Sequence, residues 1–121
     1  MELTFVETVV FSRRIAQLEL EEDLRRLQLS LLANPRAGAL DPGTGGLRKI
    51  RMSDECRGKG KRGGARVHYL LLETVGRLYL VFVYAKHEMD TLTPTQKRSL
   101  RAVVEQIRSE AMASAQSTKR P

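Results

Sequence analysis

Cations interleaved with glycine form the one stretch of this chain whose residue types and spacing suit work on a phosphate. Residues Arg57-Gly58-Lys59-Gly60-Lys61-Arg62-Gly63-Gly64 mix the two. Glycine lets a backbone approach a phosphodiester chain closely, and the neighbouring cations neutralise it. Eight basic residues, Arg48, Lys49, Arg51, Arg57, Lys59, Lys61, Arg62 and Arg66, stand in this region against only Asp54 and Glu55. The net charge of the chain is +7, so nearly all of the excess sits in this segment. A local field of that kind attracts polyanions, RNA foremost, and steers association. The plainer reading of the same residues is a solvated loop kept soluble by its charge.

Other chemistries are excluded by residue type and spacing. His68, His87 and Cys56 are too few and too scattered for a zinc site, and no metal or cofactor is expected. The run Gly43-Thr44-Gly45-Gly46 is followed by Leu47, not by the Gly-Lys-Ser/Thr of a phosphate loop, and reads as a turn. No serine-nucleophile motif occurs. With one cysteine no intramolecular disulfide can form, which fits a reducing compartment. The longest apolar run, Leu78 to Ala85, is far too short to span a bilayer, and Met1-Glu2-Leu3-Thr4 does not open a secretory signal. A cytoplasmic location is the expectation.

The basic segment needs a scaffold, and hydrophobic periodicity supplies one. Thr4 to Val10 reads as a strand, and Ser12 as the N-cap of a short helix carrying Ile15 and Leu18. Leu20, Leu24, Leu27 and Leu31 line one face of a second helix, which starts with Glu21, Glu22 and Asp23 and stops at Asn34-Pro35. Leu47 to Met52, Ala65 to Leu72 and Leu78 to Ala85 read as strands. Ser53 to Gly64 reads as a loop too polar and glycine-rich to pack, and Glu73 to Arg77 as a hairpin turn around Gly76. Thr93-Pro94-Thr95-Gln96 is a capping box before a helix with Leu100, Val103, Val104, Ile107 and Ala111 on its apolar face. The expected fold is α+β, in the order β-α-α-β-β-β-α, with helices packed on one side of a small, mainly antiparallel sheet. Residues 1–113 form its single domain and 114–121 a flexible tail.

Three runs carry a resemblance. They are Gly43-Thr44-Gly45-Gly46-Leu47-Arg48-Lys49-Ile50-Arg51, then Arg57 to Tyr69, then Tyr84-Ala85-Lys86-His87-Glu88-Met89-Asp90-Thr91-Leu92-Thr93. Together with Phe5-Val6-Glu7-Thr8 they resemble HigB-like members of the RelE toxin superfamily, over residues 4 to about 110. The resemblance implies a fold like that of small ribonucleases and the toxin role in a type II toxin-antitoxin system. It implies an mRNA endoribonuclease, or mRNA interferase, that enters the 70S ribosome and arrests translation. The 2′-hydroxyl attacks the neighbouring phosphorus, leaving a cyclic phosphate and a free 5′-hydroxyl. It further implies a cognate antitoxin with a helix-turn-helix domain, whose complex with the toxin binds operator DNA.

Site residues follow by the same resemblance. Lys49 and Arg51 match the paired basic residues of the second strand of such toxins, and Arg66 the arginine that opens the third. Arg66 is the first choice for the scissile phosphate, because its fork suits that anion. On this reading Arg66→Ala abolishes toxicity with little loss of stability, since the side chain faces the cleft. Lys86 and His87 follow the last strand, where His87 stands at a position that carries arginine in RelE-like toxins and could exchange a proton near neutral pH. Lys49, Arg51, Arg66, Lys86 and His87 are thus the catalytic candidates. Arg48, Arg57, Lys59, Lys61, Arg62 and His68 are the RNA-binding candidates. A packing role for His68 and a core role for Tyr69 and Tyr84 are the bland alternatives. Some relatives place a catalytic tyrosine on the last helix, and Leu92 to Gln96 offers none. The rival function on the same scaffold is that of ParE-like relatives, which inhibit DNA gyrase without cutting RNA.

Overall fold

A computed structural model describes residues 2–118. The elements are β1 (Thr4–Glu7), α1 (Val9–Leu18), α2 (Glu21–Ala33), β2 (Ala39–Leu40), β3 (Arg48–Met52), β4 (Ala65–Leu72), β5 (Arg77–Ala85) and α3 (Pro94–Thr118). The sheet runs in the order β1-β5-β4-β3-β2, antiparallel throughout except for the parallel β1–β5 pair. The α+β class and the mainly antiparallel sheet are as expected.

Three features of the order differ from the expectation. The first strand stops at Glu7, although Val9 and Val10 favour extended chain. Thr8 turns the chain there: its hydroxyl donates to the Val81 carbonyl and accepts from the Phe11 N–H. Capping and the burial of Phe11, Ile15 and Leu18 at i, i+4, i+7 outweigh β propensity, and the two valines stay exposed. Thr8, not Ser12, is therefore the cap. A two-residue strand, β2, also appears within the turn-rich stretch, pairing with Arg48 and Lys49.

The third difference concerns the layers. Helices α1 and α2 pack with Met52, Val67, Tyr69, Leu78, Leu80 and Val83 on one face of the sheet. Helix α3 covers the opposite face through Val104, with Leu47, Leu70 and Val81. The helices are not confined to one side. The reason lies in β4 and β5, which are apolar on both faces and need cover on both. A bulge assists: His68 pairs with Phe82 and Tyr69 with Leu80, so Val81 and Phe82 both turn toward α3.

The remaining expectations fare well. Leu20, Leu24, Leu27 and Leu31 are all buried, and Thr93 and Gln96 form the reciprocal bonds of a capping box. Helix α3 continues to Thr118, into the expected tail, and positions 119–121 lie outside the described residues.

Candidate nucleic-acid interface

The register of β3 and β4 decides which cations meet. Lys49 stands opposite His68, and Arg51 opposite Arg66. Directly opposed residues of an antiparallel pair project from the same face. Arg66 is in turn opposite Tyr84, which puts Lys49, Arg51, Arg66, His68 and Tyr84 on two adjacent rungs of one face. Lys86 extends the inner rung, its N–H donating to the Gly64 carbonyl at 2.8 Å. Four of the five catalytic candidates therefore share one end of the sheet. The fifth, His87, stands exposed in the turn after β5.

Within this group the burial differs sharply. Arg51 is exposed and Lys49 half-buried, whereas Arg66 is only 3% exposed. The Arg66 guanidinium donates to the carbonyls of Arg62 at 3.1 Å, Ala65 at 3.3 Å and Lys61 at 3.4 Å, and lies 3.7 Å from the Asp90 carboxylate. It does not stand open in the cleft. Its fork is spent on the backbone of the basic loop, which has no regular ladder and must satisfy its carbonyls otherwise. The expectation that Arg66→Ala leaves stability intact is overturned by this burial.

The basic loop is better packed than its composition implied. Asp54 is buried beneath it, accepting from Arg57 at 2.9 Å, and its main chain exchanges two bonds with Lys59 at 2.7 Å. Arg57 also donates to the Leu18 carbonyl at 2.8 Å. Gly64 is enclosed: a Cβ there would fall 2.2 Å from the Met52 carbonyl oxygen. Arg48, on the opposite face of β3 from its neighbour Lys49, donates to the Gly38 carbonyl at 2.8 Å. Arg48 and Arg57 are thus committed to structure. Lys59, Lys61 and Arg62 are exposed, and their side chains enter none of the ion pairs among the described residues.

A cleft of about 690 Å³ opens between α2 and the β3 edge. Lys49, Arg51 and Lys61 contribute to its lining on the sheet and loop side. On the helix side Asp23 and Glu55 are both engaged by Arg26, at 2.8 and 3.1 Å, which offsets their charge. The edge of β3 is unpaired beyond Lys49 because β2 is so short, and this shortness leaves the cleft open.

Sequence reading missed the partners of His68. The imidazole is fully buried, with Nε2 2.9 Å from Asp41, whose other oxygen accepts from Lys97 Nζ at 3.0 Å. Burial holds His68 below its ordinary pKa of 6.5 against the pull of Asp41, so neutral His68 donates its Nε2–H to the carboxylate. Burial works to raise Asp41, but the bonds from His68 and Lys97 prevail and hold it below the usual range. The ring of His68 stacks on Tyr84 with centroids 5.7 Å apart. Burial, aided by the nearby Asp41 charge, pushes the Tyr84 hydroxyl up to about 12. Tyr69 and Tyr84 are core residues. Asp41 lies 27 positions before His68 in a turn-rich run, and nothing in a turn signature announces a long-range partner.

No family model matches the chain.

Proposed function

We propose that this chain is the toxin of a type II toxin-antitoxin pair, of the RelE/HigB-like kind, and cuts messenger RNA on the ribosome. The observation that carries the reading is the register of β3 on β4, which gathers the basic residues of three separate sequence runs at one end of the sheet. Phosphoryl transfer to a neighbouring 2′-hydroxyl needs cations around the phosphorus and groups that take and return a proton. Lys49, Arg51 and Lys61, at the cleft, bind the RNA backbone, with Lys86 and His87 at the end of β5. Arg66 shapes the loop from beneath. The attacking oxygen forms its bond to phosphorus as the bond to the 5′ oxygen breaks. One proton leaves the 2′-hydroxyl and another reaches the departing oxygen. A helix-turn-helix antitoxin that covers or distorts this surface, or blocks ribosome entry by bulk, would silence it.

The test is induction in cells followed by mapping of message ends. Growth arrest with cuts phased to codons supports the reading, and the double substitution Lys49→Gln with Arg51→Gln should abolish both. Arrest with intact messages and broken DNA would instead favour gyrase inhibition.

A further inference from the structure

A second, smaller hollow of about 200 Å³ lies where β5 meets the first turns of α3, lined by Phe82, Thr95, Gln96, Ser99 and Leu100. The bulge in β5 creates it. By turning Phe82 to the α3 side directly after Val81, the bulge leaves a half-buried ring beside the helix that no larger side chain of α3 covers. Phe82 forms the aromatic wall and Leu100 an apolar one. Gln96 is already committed, accepting from the Thr93 N–H and donating to the Met89 sulfur. The Thr95 hydroxyl accepts from Arg98 at 3.1 Å.

Its position gives the hollow an occupant. Phe82 is paired with His68, and His68 with Lys49, so all three stand on one rung. Two strand spacings, roughly 10 Å, separate the hollow from Lys49 along that rung. Phe82 also continues an aromatic row, tilted against Tyr84 at 5.9 Å, with Tyr84 stacked on His68. A flat apolar slot beside a line of cations suits a chain with alternating planar and anionic groups. We propose that the Phe82–Leu100 hollow holds one nucleobase of single-stranded RNA, stacked on Phe82, while the backbone runs toward Lys49 and Arg51. Because Gln96 and Thr95 are engaged, the slot stacks a base without reading its edge, and tolerates all four.

The inference rests on the RNA reading above, and its test separates the two. A short single-stranded RNA made uncleavable by 2′-O-methylation is titrated against the protein, alone and on ribosomes programmed with that RNA. Copies carrying one abasic site at each position in turn are titrated beside it. One abasic position should weaken binding about tenfold, within the range that a single base–aromatic stack supplies. Phe82→Ala should weaken the intact RNA similarly and remove sensitivity to that position. Ser99→Trp, which fills the hollow from an exposed helix position, should do the same without touching the core. If the intact RNA binds and weakens on Lys49→Gln, yet ignores Phe82→Ala, Ser99→Trp and every abasic site, the nucleobase slot is refuted and the RNA reading stands. If the wild-type protein binds no RNA in either setting, both fall.

Discussion

Arg66 and Arg62 belong to the same basic run, yet the structure uses them in opposite ways. Arg66 is buried with its guanidinium against loop carbonyls, one of them that of Arg62, whose own side chain stands in solvent. The glycines divide likewise. Gly64 is boxed in by the Met52 carbonyl, while Gly60 has nothing within 4 Å of where a Cβ would sit. The segment is therefore two regions: a base that builds the loop, and a rim that presents charge. Counting cations cannot separate them, because an arginine that binds carbonyls and one that awaits a phosphate use the same five donors.

The division can be broken at its strongest point first. Gly64→Ala places a carbon against backbone, which only a backbone shift relieves, and should cost about 3 kcal/mol or more by urea denaturation. Gly60→Ala should change stability by less than about 0.5 kcal/mol. Equal effects of the two would erase the distinction. Next in size, Arg66→Ala strands carbonyls in a buried site and should cost about 2–3 kcal/mol, with loss of toxicity secondary to loop disorder. A variant as stable as wild type would contradict that.

The buried His68–Asp41–Lys97 group yields a pH test. The His68 pKa is depressed by folding, so the unfolded chain binds more protons and stability falls as pH drops through about 6.5. Asp41 is depressed too, so its contribution is present above the ordinary carboxylate value and is lost at lower pH. Unfolding midpoints should decline on acidification in wild type, and His68→Gln should flatten the limb near neutrality. A profile unchanged by His68→Gln would mean the ring is not held neutral.

At the rim the expected effects on folding are smallest. Replacing Lys59, Lys61 and Arg62 together by Ala should leave stability within about 0.5 kcal/mol. The same change should weaken RNA binding and shallow its logarithmic salt dependence by roughly one unit for each phosphate left without its cation. If binding is unchanged, the rim does not face the ligand.

Much of the fold is legible in the sequence, where local rules act alone. The capping box at Thr93, the leucine stripe of α2 and the full span of β4 follow from spacing and termination signals. What escapes a sequence reading depends on partners distant along the chain. Thr8 caps α1 partly through its bond to the Val81 carbonyl, 73 positions away. The placement of α3 opposite α1 and α2 has a signal in the unbroken apolar run Leu78 to Ala85, which a sheet covered on one face would not contain. The cluster of site candidates is legible in type but not in fate. Parity along β3 puts Arg48 and Lys49 on opposite faces, and only the register puts Lys49 beside His68.

Cleavage by purified components tests the central claim most directly. The purified chain is added to ribosomes programmed with a defined message, and the RNA ends are analysed. A 5′-hydroxyl fragment and a 2′,3′-cyclic phosphate partner should appear with wild type, and should vanish with Lys49→Gln/Arg51→Gln of unchanged unfolding midpoint. Intact message with the wild-type protein, or undiminished cutting by that double variant, would contradict the assignment of the gathered cations to phosphoryl transfer.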